Sequence, residues 1–152
     1  MKLPVYLGLL HGAEDVLAKS FRQVADGHGD EPDVRSTCLT LAAQCDQHVG
    51  ALRPVVDRYG EQPDDEPERF HAEALAETRS GGLGLLRDLQ DLYLLASLVD
   101  ITWTLIQQAA SALRDEELLG VISRCDGQTQ VQLAWLKTRM KQAAPQALLV
   151  AS

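Results

Sequence analysis

Apolar side chains recur every three or four residues along four long stretches of the chain, which predicts four amphipathic helices. The first helix is expected at about 4–28 and the second at about 32–60. The third should span about 83–113 and the fourth about 115–144. No stretch alternates apolar and polar residues as a half-buried strand does. The pattern therefore predicts an all-α chain that forms one antiparallel four-helix bundle over residues 1–152.

Residues at the predicted helix ends support these boundaries. Pro32 suits the first turn of a helix, and Gly60 suits the position just after the last turn. Asp115 is a good N-cap for the fourth helix. Pro54 falls inside the second helix, where it is expected to kink the helix rather than break it.

Two segments outside the helices have distinct roles in this prediction. The connection at about 61–82 is long, since neighbouring helices are usually joined by about 2–8 residues. Its length favours a crossover between two helical hairpins over a simple up-down-up-down chain. The tail at 145–152 is apolar and too short for a bundle helix. We expect it to strap onto the bundle or onto a second subunit.

Six polar side chains interrupt the apolar faces about midway along the predicted helices. A carboxylate, thiol or imidazole in a bundle core needs a partner, a metal or a shifted pKa. The first and third helices each contribute one acid, and the second and fourth each contribute a pair spaced i, i+3. These candidate metal-site residues are Glu14, Cys45, His48, Asp100, Cys125 and Gln128.

Counting from the predicted turns indicates that these positions lie at similar heights. Glu14 and Cys45 are each about fifteen residues from the first turn, and each helical residue advances ~1.5 Å. Asp100 and Gln128 are each about fourteen residues from the second turn. All four levels are therefore predicted near the middle of the bundle.

This arrangement of acids, i, i+3 pairs and a crossover resembles the ferritin-like di-iron carboxylate bundles. In that family both pairs read Glu-x-x-His, whereas this chain lacks both bridging glutamates and has Gln128 in place of a histidine. The resemblance therefore implies a ferritin-like fold with a degenerate metal site. Carried over by position, it implies the ligand set Glu14, Cys45, His48, Asp100 (or Asp91), Cys125 and Gln128.

Three functions fit these residues. The favoured one is a ferritin-like bundle that is a non-enzymatic binding or structural protein with a degenerate central metal site. The alternative is a single-metal protein or metalloenzyme, because Glu14, Cys45, His48 and Cys125 form a plausible ligand set for zinc. The third is a helical interaction module whose central polar layer fixes helix register. The cofactor expectation is accordingly none or one metal ion, iron or zinc.

Charge and cysteine content narrow the partners. A net charge of −8 disfavours nucleic acid and anionic membranes. The three cysteines form no C-x-x-C pair, which indicates free thiols and a cytoplasmic protein. The expected partner is a second copy, bound through apolar helix faces or the C-terminal tail. His11, His28 and His71 lie near predicted surfaces or helix ends and are expected to be solvated.

Overall fold

The computed structural model describes residues 1–60, 75 and 77–150, and these residues form four long helices. No strand occurs among the described residues. The prediction of an all-α chain with four helices is therefore confirmed. The helices are α1 (Leu3–Gly27), α2 (Pro32–Tyr59), α3 (Gly81–Leu113) and α4 (Glu116–Pro145).

The helix ends follow the signals in the sequence. Pro32 opens α2, where its missing N–H leaves no intrahelical hydrogen bond unmade. Gly60 ends α2 with a φ of 83°, a conformation that glycine adopts without steric cost. Asp115 caps α4, because its side chain accepts a hydrogen bond of 3.1 Å from the backbone N–H of Leu118. The helix α2 continues through Pro54.

The C-terminal end is helical further than expected, and its last turn also contacts α3. The sequence predicts that the fourth helix stops before Pro145, but α4 includes this residue and continues as a π-helical turn over Gln146–Val150. Proline has no N–H to donate to the preceding turn, and the backbone leaves the α-helical pattern just after it. Ala147 is buried, whereas the three residues that follow it are exposed. Residues 151–152 lie outside the described residues.

The core is one continuous apolar cluster to which all four helices contribute. The most extensive packing is between α1 and α2, followed by α3 with α4 and α1 with α3. Trp103, Phe21 and several leucines are its largest fully buried side chains. Polar groups are buried among them, and such groups need hydrogen-bond partners. They are Glu14, Ser20, His28, His48, Asp88, Thr102, Thr129 and Gln132.

The helix α3 is the most apolar of the four. By length and composition alone it is long and apolar enough to cross a membrane, with 44% of its most apolar window buried inside the protein. The core helix of a soluble bundle meets the same criterion, because it is apolar on most of its faces.

The residues just before α3 lie against the end of α1. A Cβ atom on Gly27 would come within 2.1 Å of the Thr78 Oγ1 atom, so this close approach requires glycine. The rest of the predicted crossover, residues 61–74 and 76, lies outside the described residues.

Candidate functional site at the bundle centre

His48 lies in the middle of the bundle and is hydrogen bonded through both ring nitrogens. Its Nδ1 atom is 2.5 Å from Glu14 Oε2 on α1, and its Nε2 atom is 2.8 Å from Gln128 Oε1 on α4. Its ring meets that of Trp103 on α3 edge to face, with 6.3 Å between centroids. One side chain from each helix therefore meets at this point. We refer to Glu14, His48, Trp103 and Gln128 as the central cluster.

Helical periodicity places these polar groups in the core. Glu14 follows Leu10 by four residues and precedes Leu17 by three, so it shares their buried face. His48 precedes Leu52 by four residues on the buried face of α2. Burial of both side chains is thus imposed by the apolar residues around them, and each must find its partner within the protein.

The Glu14–His48 pair shares a proton. Burial raises the pKa of Glu14, and the hydrogen bond and charge of His48 only partly oppose this. Burial lowers the pKa of His48, but the hydrogen bond and charge of Glu14 outweigh it, so this pKa is raised overall. Gln128 Oε1 can only accept, so the His48 Nε2 atom carries a proton and donates. The remaining proton lies between Nδ1 and the carboxyl, and the pair is neutral overall with it on either atom.

Two atoms of the central cluster are incompletely satisfied. Glu14 Oε1 and Trp103 Nε1 have no hydrogen-bond partner within the described part of the chain. The indole N–H nevertheless favours the ionised carboxyl and lowers the Glu14 pKa slightly. A buried acceptor and a buried donor without good hydrogen bonds lower stability. The cluster is therefore polar without being fully connected.

A pocket of about 220 Å³ opens beside His48 between α2 and α4. Its lining is mixed, with polar groups from Arg124 and two glutamine side chains and a thiol from Cys125. The contact between His48 and Gln128 is thus the part of the central cluster nearest to a small molecule from solvent. The lining residues are Gln47, His48, Ala51, Arg124, Cys125 and Gln128.

The two predicted cysteine ligands are buried and hold their protons. The Cys45 thiol donates towards Gln132 Oε1 at 3.9 Å, and burial raises its pKa strongly. Burial also raises the pKa of Cys125 to about 11. The thiolate is the form that binds metals and attacks electrophiles. At neutral pH both side chains therefore behave as small apolar groups.

Asp100 does not face the central cluster as the sequence predicts. It is half-buried and accepts a hydrogen bond of 2.6 Å from Gln130 Nε2 at the bundle surface. The alternative ligand, Asp91, accepts one of 2.9 Å from Arg79. The inward position on α3 belongs to the fully buried Trp103. Asp100 precedes it by three residues, about 60° away around the helix axis, and lies at the edge of the buried face.

The structure brings together only part of the predicted metal site. Glu14, His48 and Gln128 meet, Cys125 lines the adjacent pocket, and Cys45 and Asp100 have partners elsewhere. No group of three or more His, Cys, Asp or Glu side chains among the described residues is placed to hold a metal ion. Metal binding by this chain stays a prediction.

A second buried histidine was missed by sequence reasoning. His28, predicted to be solvated, is buried, and its Nε2 atom lies 2.7 Å from Asp88 Oδ2. Arg79 donates to the same carboxylate, 2.9 Å from its backbone N–H and 2.6 Å from its guanidinium. The available signal was Asp88 itself, which lies three residues after Leu85 and four before Leu92 on an apolar face. We refer to His28, Arg79 and Asp88 as the end cluster.

No protein-family model, curated protein or solved structure gives a significant match to this chain. The fold and the site define it as an all-α protein of four long helices with a buried histidine–carboxylate pair at its centre.

Proposed function

We propose that this chain is an antiparallel, ferritin-like bundle with a degenerate central site, and that it is a non-enzymatic binding or structural protein. The observation that carries the proposal is the hydrogen bonding of His48, whose two nitrogens reach Glu14 on α1 and Gln128 on α4. The polar centre thereby joins α1, α2 and α4 through direct hydrogen bonds between side chains.

Contacts between α1 and α2 support antiparallel neighbours. Asp26 approaches Arg35 close to the turn, and Glu14 bonds His48 further from it. The α2 and α4 helices show the same relation, since the end of α2 pairs with the start of α4 and the start of α2 with the end of α4. The pairs are Arg58 with Asp115 and Asp33 with Arg139.

The direction of α3 supports a crossover. His28 follows the end of α1 and bonds Asp88 near the start of α3, so these two helices run in opposite directions. The α2 and α3 helices then point the same way, so the end of α2 and the start of α3 lie at opposite ends of the bundle. Parallel second and third helices are a feature of the ferritin-like topology.

The chemistry of the donor atoms supports a degenerate site. A histidine that binds a metal uses one nitrogen for the metal and donates the other N–H to an outer partner. Both nitrogens of His48 already contact side chains, and the raised pKa of Cys125 keeps its thiol protonated. A binding role would use the pocket beside His48, whose lining is mixed.

Metal content is the direct test. Protein purified without a metal-affinity tag is offered zinc or ferrous iron, desalted and measured by elemental mass spectrometry. We expect well below one equivalent of metal in the wild type and in a Glu14→Gln, His48→Gln variant. The matched control is Asp100→Asn, which changes a predicted ligand outside the central cluster. One equivalent that is lost in the double variant and kept in the control would overturn the proposal and establish the single-metal alternative.

A further inference from the structure

The outward face of α3 carries an apolar stripe that is exposed among the described residues. Leu94, Ile101 and Leu105 are 69%, 51% and 50% exposed, and Leu98 between them is half-buried. Spacings of four, three and four residues place these side chains on one helix face. We refer to the four residues as the outer stripe. A contiguous exposed apolar surface of this kind is typical of an interaction site.

The scarcity of charged residues along α3 makes the outer stripe suitable for contact with a second copy of this chain. The protein carries a net charge of −8, so most pairs of its surfaces repel each other. Between Asp91 and Arg114, however, α3 contains a single charged residue, Asp100. That carboxylate bonds Gln130 on α4 and lies off the stripe. Two copies can therefore approach through this face without placing like charges opposite each other.

We propose that two copies of the chain associate through their outer stripes, with the two α3 helices antiparallel across a two-fold axis. A two-fold contact requires a self-complementary surface. The stripe meets this requirement, because an axis between Leu98 and Ile101 places Leu98 of one copy opposite Ile101 of the other. The same axis places Leu94 opposite Leu105 and leaves exposed glutamines, Gln90 and Gln108, beyond the two ends of the stripe.

A groove beside Leu105 can accommodate Leu94 of the second copy, the most exposed leucine of the outer stripe. This groove, of about 240 Å³, is mainly apolar and lies between α1 and α3. In the antiparallel pair, Leu94 of the second copy lies at the level of Leu105 and next to the groove. By symmetry the insertion occurs twice, as knobs enter holes between packed helices. The groove is lined by Lys2, Leu3, Tyr6, Leu105, Ile106 and Ala109.

The size of the contact sets the expected affinity. The outer stripe is only about 16 Å long, at ~1.5 Å per residue. Stable dimers bury about 800 Å² per partner, and smaller contacts belong to weak or transient complexes. We therefore expect a dimer that dissociates on dilution, with a Kd on the order of 10 µM.

Sedimentation equilibrium on the full chain tests the association. The wild type should shift from monomer to dimer as concentration rises through roughly the 10 µM range. Leu94→Glu places two carboxylates in the contact and should raise the Kd about tenfold or more. The matched control is Val131→Glu, which puts the same charge on an exposed apolar residue of α4 and should leave the Kd unchanged. Circular dichroism checks that both variants keep wild-type helicity.

Disulfide cross-linking tests the antiparallel geometry. The three native cysteines are buried, so introduced thiols can be oxidised selectively. Leu94→Cys, Leu105→Cys protein should form covalent dimers. Leu94→Cys alone should not, because its two thiols would be about 16 Å apart in the antiparallel pair, too far for a disulfide.

Four results would overturn the proposal. They are a monomer at every concentration, equal weakening by Leu94→Glu and Val131→Glu, and efficient cross-linking by Leu94→Cys alone. The fourth is a monomer that binds zwitterionic lipid vesicles in the wild type but not in the Leu94→Glu variant. That result would assign the outer stripe to a lipid surface.

Discussion

The protein contains two buried histidine–carboxylate pairs that differ in how their charge is balanced. In the central cluster, Glu14 Oε2 is 2.5 Å from a nitrogen of His48. In the end cluster, Asp88 Oδ2 is 2.7 Å from a nitrogen of His28. Asp88 additionally accepts hydrogen bonds from the backbone and guanidinium of Arg79, whereas no Arg or Lys is seen to contact Glu14 among the described residues.

The contact with Arg79 separates the roles of the two pairs. A guanidinium stays charged at any pH that a folded protein tolerates, so Arg79 balances Asp88 whatever the state of His28. The end cluster therefore fastens the residues before α3 to the end of α1. The charge of the central pair depends instead on one shared proton. The contribution of the central pair to stability should therefore depend on pH.

The largest effect should come from removing the carboxylate of the end cluster. Asp88→Ala leaves the ring of His28 buried without its partner and frees the backbone N–H of Arg79. Breaking a buried pair in this way should lower the free energy of unfolding by about 3 kcal/mol. Urea denaturation followed by circular dichroism measures the loss.

Asp91 provides the matched control for this substitution. It also contacts Arg79, but it is partly exposed, so Asp91→Ala should cost less than about 1 kcal/mol. Equal losses of unfolding free energy in Asp88→Ala and Asp91→Ala would show that burial of Asp88 does not increase its contribution to stability.

The next effect concerns the central pair. Glu14→Leu or His48→Leu alone leaves a buried polar group without its partner and should cost about 2 kcal/mol. The double replacement removes both groups and should return to within about 1 kcal/mol of the wild type, because apolar residues often replace a buried pair without loss. A double-mutant cycle on unfolding free energies measures this coupling. Additive losses in the cycle would mean that the two side chains do not act as a pair.

Sequence reasoning located the central cluster in part because helical periodicity and turn counting are local. They place Glu14, His48 and Gln128 on inward faces at one height, and the three side chains do meet. Counting residues from a turn predicts how far along the helix a side chain lies more securely than it predicts the direction in which the side chain points. Asp100 has about the predicted height, but it turns to the surface and bonds Gln130.

The end cluster could not be found by the same local rules. His28 lies at a helix end, where solvent is the usual environment, and its burial depends on Asp88 sixty residues away in the chain. Arg79 reaches the cluster through the close approach of Thr78 to Gly27. Such contacts depend on where the long connection returns, and no periodic pattern encodes that.

The pH dependence of stability should report the shared proton of the central pair. The pKa of His48 is raised in the folded state, so the folded protein keeps this proton at pH values where the unfolded chain releases it. Stability from the proton is complete just below the ordinary pKa of His48, 6.5, and is lost as pH rises from there through the raised pKa of the folded pair. The unfolding free energy of the wild type should therefore fall as pH rises above about 6.5.

The Glu14→Leu, His48→Leu variant is the control for this pH effect. It retains the end cluster and all other titrating groups, so the difference between the two pH curves reports the central pair alone. The contribution should be smaller than the loss caused by either single substitution. Parallel curves for the wild type and the double variant would show that the pair does not exchange its proton in this range.

The smallest effect on stability should come from Gln128, the member of the central cluster beside the pocket. Gln128→Ala should lower the free energy of unfolding by less than about 1 kcal/mol, because water entering the pocket can accept the hydrogen bond from His48 Nε2.

The same substitution should widen access to Cys125, which lines that pocket. Labelling of Cys125 by a thiol reagent should then become faster, while Cys38, buried and with a pKa of about 12, should stay protected. If both thiols react faster together, the bundle has loosened as a whole. If neither does, access to the pocket is not limited by Gln128, and the contact of this residue with His48 matters only for joining α2 to α4.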